Sequence, residues 1–175
     1  MSRFTVRRLS VVSSREFQGL CDLLIDCVEG GASVSFMHPM TLPKAAQFWR
    51  EVGASTARGE RVIIVAEDAQ GAIVGTAQVI WATAENQPHR ADVAKMLVHR
   101  RSRKLGVGAA VLAAAEQAAL EAGKTLLVLD TASAEAERLY ARSGWQRVGT
   151  IPKYALLPNG PLCSTVVFYK DLTVR

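Results

Sequence analysis

The residues best suited to chemistry lie in one short segment, where cations and glycines come directly before a helix. Four cations stand within five residues, at Arg100, Arg101, Arg103 and Lys104. Gly106 and Gly108 follow, where an alanine-rich helix is predicted to begin. The first N–H groups of a helix lack intrahelical partners and carry partial positive charge, and glycine lets an anion approach the backbone closely. The segment therefore predicts a phosphate-binding site, and the alternative is a solvated basic loop with an ordinary glycine turn.

The spacing of these residues excludes two common phosphate-binding loops. The P-loop pattern G-x-x-x-x-G-K-[ST] is absent, and a dinucleotide-binding turn would need a third glycine where this chain has Val111. What remains is R-x-x-G-x-G, formed by Arg103, Gly106 and Gly108 behind the apolar strand Met96–Val98. This arrangement resembles the acetyl-CoA signature of the GCN5-related N-acetyltransferase (GNAT) superfamily.

The resemblance implies that acetyl-CoA is the cosubstrate. No metal is expected, because the scattered cysteines and histidines lack the spacing of a metal site. Backbone N–H groups from Arg103 through Ala109 would hold the cofactor, and the strand Leu97–Val98 would pair with its pantetheine arm and offer an N–H to the thioester oxygen. The residues assigned to acetyl-CoA on this basis are Met96, Leu97, Val98, Arg103, Lys104, Leu105, Gly106, Val107, Gly108, Ala109, Thr131, Ser133 and Tyr140.

Tyr140 is the candidate for protonating the departing thiolate. It lies late in the predicted helix that follows the central strand, where members of the superfamily commonly carry such a tyrosine. A phenol can donate its proton to a forming thiolate. The alternative is a tyrosine packed in the core with its hydroxyl group hydrogen-bonded.

Asp92 and Asp130 are the candidates for the base that removes a proton from the acceptor's amine. Each lies at the end of an apolar run, and the two strands are predicted to be neighbours at the central gap of the sheet. A carboxylate is ordinarily too acidic to deprotonate an alkylammonium group efficiently by itself, so it would act through water, or its pKa would have to be raised by burial or by the second carboxylate. Either aspartate could instead bind the acceptor's ammonium group, or simply accept local backbone hydrogen bonds.

The glycine-rich segment 30–40 is predicted to be an ordered loop that shapes the acceptor site, as the corresponding region commonly does in the superfamily. Phe36, Met37 and His38 are its candidates for substrate contact, with loop packing as the alternative. The full set of predicted substrate-binding residues is Ser33, Phe36, Met37, Asp92 and Asp130.

Within the superfamily, the chain is similar to the tabtoxin-resistance acetyltransferases from about residue 25 to the C-terminus. The similar stretches are 30–34 with Phe36 and Met37, 90–93, 127–131, 147–149, and Tyr154 through Tyr169 and Lys170. This chain has Asp92 where those enzymes have glutamate, and Lys104-Leu105 where a Gly-Leu pair is usual. The similarity implies a β-lactam-type antimetabolite as the acceptor, with a role in resistance or detoxification.

The elements that must position these residues follow from periodicity and capping signals. Strands are predicted at 4–8, 61–68, 72–81, 90–98, 125–130, 146–151 and 162–172, and helices after Ser13, from Thr41 to about 58, through 109–122 and within 131–143. Together with the resemblance, they indicate an α/β (α+β) GNAT fold, with a mixed sheet of about seven strands flanked by about four helices. The order is β-α-α-β-β-β-α-β-α-β-β, in a single domain over residues 1–175.

Composition narrows the function class. The net charge of +5 is concentrated in the basic segment without interleaved aromatic residues, which argues against nucleic acid as a partner. Cys21, Cys27 and Cys163 lie in apolar contexts, as expected of reduced core thiols. With no signal peptide and no apolar run of membrane-spanning length, we expect a cytoplasmic protein that does not bind a membrane. The assembly state is open, with a homodimer as one option.

These observations predict an acetyl-CoA-dependent N-acetyltransferase that acts on a small-molecule amine by direct attack in a ternary complex. Two alternatives stay open. One is a protein or peptide N-acetyltransferase, and the other is a non-catalytic module that senses acetyl-CoA.

Overall fold

The computed structural model describes residues 4–174, through which one mixed sheet extends. Its strands are β1 Phe4–Leu9, β2 Arg61–Asp68, β3 Ile73–Trp81, β4 Arg90–Val98, β5 Leu126–Thr131, β6 Gln146–Leu156 and β7 Leu162–Asp171. The helices are α1 Ser14–Glu29, α2 Leu42–Ala57, α3 Val107–Glu121 and α4 Ala134–Arg142, with a 3₁₀ turn at Arg100–Ser102. The predicted fold class and element order are confirmed.

The strands lie in the order β1-β2-β3-β4-β5-β7-β6, and all neighbours are antiparallel except β4 and β5. Alternation along β2 divides the core between the two faces of this sheet. Ile63 and Val65 pack against α1 and α2, while Val62 and Ile64 pack against α3. In α3 the buried alanines Ala115, Ala118 and Ala119 allow the helix to approach the sheet closely.

The capping signals place the first two helices with different success. At α1 the predicted capping box is confirmed, since Ser13 accepts from the backbone of Glu16 and the Glu16 side chain accepts from the backbone of Ser13. At α2 Thr41 occupies the N-cap position, but its side chain makes no capping hydrogen bond, so that part of the prediction was wrong. In residues 4–174, no helix combines the length and apolar character needed to cross a bilayer.

The centre of the sheet is split. The parallel strands β4 and β5 are paired only at Arg90, Ala91 and Asp92, and beyond that point they diverge. On its other side β4 has an irregular register with β3, and Lys95 in that stretch has a φ of 51°. A bulge of this kind bends a strand and redirects its side chains. The bent half of β4 therefore presents an edge with no partner on β5, and the cavity described below opens along it.

The largest difference from the predicted element boundaries is in β6. This strand continues to Leu156 rather than ending at Ile151, because Lys153 takes a φ of 54° and the register with β7 resumes after a shift. The added residues bring Tyr154, Ala155 and Leu156 into the cavity wall. Helix α4 begins at Ala134, within the predicted range 131–143, with Ser133 as the N-cap that accepts a hydrogen bond from the backbone of Ala136.

Candidate active site

A cavity of about 1210 Å³ lies where β4 and β5 diverge. Its walls are the free edge of β4, the start of α3, helix α4, the loop after α1 and the facing segments of β6 and β7. The cavity brings together most of the residues that the sequence indicated. Those that line it are Met96, Leu97, Val98, Arg103, Lys104, Gly106, Gly108, Ala109, Thr131, Ser133, Tyr140, Ser33, Phe36, Met37 and Asp130.

One end of the cavity is built to receive an anion. Gly106 precedes α3 with a φ of 87° and offers no side chain to cap the helix. Within residues 4–174, the backbone N–H groups of Val107, Gly108 and Ala109 have no hydrogen-bond partner. A Cβ added at Gly106 would meet nothing within 4 Å, so the approach to these donors is open. Oriented free N–H groups at a helix N-terminus are the elements of a phosphate site.

The four cations of the basic segment do not act together. The Arg100 guanidinium is paired with Asp26 at 2.9 Å, and that of Arg101 with Asp68 at 2.8 Å. Neither residue lines the cavity. Arg103 and Lys104 do line it, and in the described part of the chain they form no ion pair. Two of the four cations are therefore structural, and two are available to an anion.

Two further arginines line this part of the cavity, Arg138 and Arg142 on α4. They are one helical turn apart, so they project from the same face of the helix. Within the described residues, neither makes an ion pair. The sequence analysis missed both, although their spacing on a predicted helix that follows a strand was visible. They double the cationic side chains that the anion site can use.

Three predicted cofactor residues occupy positions that change their roles. Val107 is only 2% exposed, and its side chain lies against Gly75 beneath the helix, while Leu105 points outward. Neither side chain lines the cavity, so only their backbone groups could serve a ligand. Lys104 has a φ of 61°, the left-handed region that favours glycine. This conformation explains why a glycine is usual at this position. In this chain Lys104 adopts the same backbone geometry and adds a side chain.

The ring of Tyr140 is buried, only 3% exposed, and packs against Trp145 and Phe168 at centroid separations of 5.9 and 5.7 Å. Its hydroxyl faces the cavity and forms no hydrogen bond within residues 4–174. Burial, and secondarily the negative charge of Asp130, raises the pKa of this hydroxyl above its ordinary value. The phenol therefore stays protonated at neutral pH and is free to donate.

The two candidate carboxylates have different surroundings. Asp130 lines the main cavity and accepts a hydrogen bond from Thr165 Oγ1 at 2.6 Å. Both carboxylates border a smaller adjoining cavity of about 250 Å³, but Asp92 does not line the main one and is paired with Arg90 Nη1 at 2.8 Å. The strands are neighbours as predicted, with Asp92 in register with Val128. Asp130 is therefore the carboxylate that reaches the main cavity, and a role for Asp92 toward an acceptor stays a prediction.

The loop after α1 forms the wall of the cavity that the sequence predicts to contact the acceptor. Ser33, Phe36 and Met37 line it, and the Phe36 ring meets the ring of Phe48 edge-on with centroids 5.2 Å apart. His38 does not line the cavity, because its Nε2 is hydrogen-bonded to the Val28 carbonyl at 2.8 Å. Of the three aromatic and polar candidates at 36–38, His38 is therefore structural.

The sequence analysis also missed Lys95, which lies in the bulge of β4 and lines the cavity. Its Nζ donates to Ser35 Oγ at 3.0 Å and lies 5.9 Å from the centroid of the Phe48 ring. Burial lowers the pKa of Lys95 below its ordinary value, although the charge of Asp130 opposes this effect. Alternation along a regular strand does not indicate this direction, which results from the bulge.

Two cysteines complete the walls of the cavity. Cys27 lies beside Val98, and burial raises the pKa of its thiol to about 11. Cys163 lies 3.6 Å from Ser33 Oγ. Both are free thiols, as the sequence predicted.

Comparison with known proteins identifies the same architecture. A sequence profile of the acetyltransferase (GNAT) domain matches residues 58–147. Among solved structures, the ribosomal-protein-alanine N-acetyltransferase of Brucella melitensis shares the fold with a TM-score of 0.78 and 20% identity, over 96% of this chain and 99% of that one. An N-acetyltransferase of Staphylococcus aureus Mu50 has a TM-score of 0.80 and 18% identity, over 98% and 99%.

A third similar structure is a phosphinothricin acetyltransferase of Sinorhizobium meliloti in complex with acetyl-CoA. Its TM-score is 0.81 at 17% identity, over 97% of this chain and 89% of that one. At such identities the likeness of structures concerns the fold alone.

Proposed function

Because the chain belongs to the acetyltransferase (GNAT) domain family, we propose that it transfers the acetyl group of acetyl-CoA to the amine of a small molecule by direct attack in a ternary complex. The observation that carries this proposal is the continuous cavity between the diverging strands. It joins an anion site at the start of α3 to a free phenol, Tyr140, and a carboxylate, Asp130.

The residues of this cavity fit acetyl-CoA. The pyrophosphate would be held by the free N–H groups of 107–109 and by the unpaired cations Arg103 and Lys104, with Arg138 and Arg142 nearby. The free edge of β4 would offer backbone groups to the amides of the pantetheine arm, as one strand does to another. When bound, acetyl-CoA supplies an acyl thioester that is open to attack by an amine.

Tyr140 is the proton donor in this mechanism. Transfer of the acetyl group leaves a thiolate, which must be protonated for the reaction to be complete. The Tyr140 hydroxyl has no hydrogen-bond partner among residues 4–174, and burial raises its pKa, so it remains a phenol under ordinary conditions. A positioned acid of this kind contributes roughly 10²- to 10⁴-fold to the rate.

Asp130 binds the acceptor's amine. Its carboxylate is held by the Thr165 hydroxyl and faces the cavity, so it would accept hydrogen bonds from an ammonium group and hold the nitrogen near the thioester. The proton then leaves the amine through Asp130 or through water in contact with it. Asp92 is paired with Arg90 and borders the smaller cavity, so its negative charge would act on the acceptor's ammonium group only at longer range.

We further propose which class of acceptor the enzyme uses and in which cell compartment it acts. The similarity to tabtoxin-resistance acetyltransferases supports a β-lactam-type antimetabolite as an acceptor to test, and the similarity in fold to a phosphinothricin acetyltransferase supports small acceptors in general. The free thiols Cys21, Cys27 and Cys163 suit the reducing conditions of the cytoplasm.

The test is a screen of amines with the purified protein and acetyl-CoA, read by release of free thiol and by mass spectrometry of the product. The panel contains small amines, amino acids, a β-lactam antimetabolite and peptides with free N-termini. Acceptor-dependent thiol release with small molecules supports the proposal. Turnover of peptides alone would indicate a peptide N-acetyltransferase, and binding of acetyl-CoA without turnover would indicate a sensor.

A further inference from the structure

The acceptor side of the cavity holds two opposite charges that do not pair with each other. Lys95 on β4 and Asp130 on β5 both line the cavity where these strands have diverged. Within the described residues, Lys95 has no carboxylate within ion-pair distance, and Asp130 has no cation. The two groups are nevertheless close enough to interact electrostatically, since the charge of Asp130 opposes the lowering of the Lys95 pKa by burial.

Each charged group is held by a neutral partner and keeps capacity for a ligand. An ammonium group has three N–H donors, and Lys95 commits one of them to Ser35 Oγ at 3.0 Å. A carboxylate can accept several hydrogen bonds, and Asp130 accepts one from Thr165 Oγ1 at 2.6 Å. The Phe48 ring beneath the Lys95 Nζ stabilises the cation without neutralising it.

From this arrangement we propose that the acceptor is a zwitterion, an amino-acid-like molecule with an amine and an anionic group. The amine binds Asp130, and the carboxylate or other anionic group binds Lys95. This inference rests on the proposed acetyltransferase function and adds the substrate class. A partly buried lysine is costly to keep without a counter-charge. A ligand with both charges satisfies both side chains at once, whereas a simple amine satisfies only one.

Specificity should then depend on the anionic group more than on the rest of the acceptor. A site built around a charged ligand group discriminates strongly against analogues that lack it, because its own buried polar group is then left unpaired. The rim of the site around Phe36 and Met37 is apolar and would tolerate a range of side chains.

The test compares matched acceptors. α-Amino acids and ω-amino acids of two to four carbons are each assayed beside the corresponding amide, with thiol release as the readout and titration calorimetry for binding. We expect the zwitterions to exceed their amides in kcat/KM by at least about tenfold, as a charge-assisted contact would give. In Lys95→Met that preference is lost, mainly through KM for the zwitterion, so the ratio of kcat/KM between zwitterion and amide falls to about one.

The matched control is Lys153→Met. Lys153 is also a strand lysine with a positive φ of 54°, but it is exposed and lies outside both cavities. This variant should keep the preference for zwitterions. Circular dichroism of both variants and their unchanged affinity for acetyl-CoA exclude a general loss of structure.

The outcomes separate this inference from the proposed function. Amides acetylated as well as zwitterions, or a Lys95→Met variant that weakens both equally, would overturn the inference and leave the acetyltransferase intact. Zwitterions that bind in a Lys95-dependent way without turnover would support the inference and refute the function. If no acceptor binds or reacts, both are wrong.

Discussion

The Asp26 carboxylate on α1 accepts two hydrogen bonds from one residue, the backbone N–H and the Nε of Arg100, each at 2.9 Å. This double contact fixes the start of the 3₁₀ turn that leads to the anion site. It explains why the first cation of the basic segment is unavailable to a ligand. The contact joins α1 to the segment that leads to the start of α3.

Asp26→Asn should destabilise the protein in a pH-dependent way. Burial would raise the pKa of Asp26, but hydrogen bonds from the Arg100 backbone and side chain outweigh it, so the pKa lies below its usual value. A lowered carboxyl pKa gives stability that is present above about pH 4 and lost as pH falls through the folded-state pKa. We expect a loss of about 1–2 kcal/mol at pH 7, measured by denaturant unfolding, and convergence with the unmodified protein once pH has fallen below the folded-state pKa of Asp26. Asp22→Asn, on the exposed side of α1, is the control; a constant difference at all pH values would contradict the argument.

Arg103→Ala should weaken acetyl-CoA binding at least about tenfold, or 1.4 kcal/mol. Arg103 lines the cavity without an ion pair among residues 4–174, so its charge is free for the pyrophosphate. Arg101→Ala is the matched control, because that guanidinium is paired with Asp68 outside the cavity and should change affinity less than about twofold. Calorimetry at two salt concentrations measures both. If both variants lose acetyl-CoA affinity equally, the basic segment attracts the ligand through its overall charge and not through a specific contact with Arg103.

Gly108→Val should cost stability as well as affinity. A Cβ at Gly108 would lie 3.2 Å from Leu139 Cδ2 and 3.6 Å from Val98 Cγ2, so the added side chain meets α4 and β4. Overpacking of this kind costs about 1–3 kcal/mol. From the sequence alone, one would expect Gly108→Val mainly to obstruct the approach of the phosphate and to change the melting temperature without ligand only modestly. A melting temperature unchanged without ligand would refute the packing argument; Leu139→Ala in the same variant should restore stability.

Tyr140→Phe should lower kcat at least about tenfold and leave acetyl-CoA affinity nearly unchanged. The ring keeps its contacts with Trp145 and Phe168, and only the proton donor is removed. Since the pKa of the hydroxyl is raised by burial, Tyr140 stays protonated as pH increases to 9. The ratio of kcat between the unmodified enzyme and Tyr140→Phe should therefore be constant from pH 6 to 9. A ratio that falls to one within that range, with chemistry rate-limiting, would exclude the acid role.

Asp130→Asn should lower kcat/KM for the acceptor by at least about tenfold, whereas Asp92→Asn should have a smaller effect, within about threefold. Asp130 faces the main cavity, and Asp92 is paired with Arg90 beside the smaller one. If only Asp130 contacts the acceptor, the double variant resembles Asp130→Asn. A double variant far worse than either would indicate that both contribute independently. Acetyl-CoA affinity, measured by calorimetry, should survive in all three.

Local signals in the sequence were sufficient for the fold and for the glycine turn at the anion-binding end of the cavity. The glycines before α3 and the capping box at Ser13 act over a few residues, so they can be recognised without the tertiary structure. The place of Tyr140 in the cavity wall follows from the order of elements, and its role stays a prediction.

Other parts of the cavity depend on the tertiary structure. Lys95 reaches the cavity only because a bulge in β4 redirects it, and Arg138 and Arg142 reach the anion-binding end because α4 lies beside the start of α3. Asp92 and Asp130 looked equivalent in the sequence, but the two strands part just after Asp92, leaving it beside a smaller cavity.

The sequence by itself therefore determined the family resemblance, the order of elements and the position of the glycine turn before α3, because caps, glycines and periodicity are encoded in adjacent residues. Only the tertiary structure decided which charges are free. Asp26 and Asp68 lie far along the chain from Arg100 and Arg101, and folding brings them into ion pairs that remove two of four cations from the site. Long-range pairing and strand divergence depend on the packing of the whole sheet, which no short stretch of residues specifies.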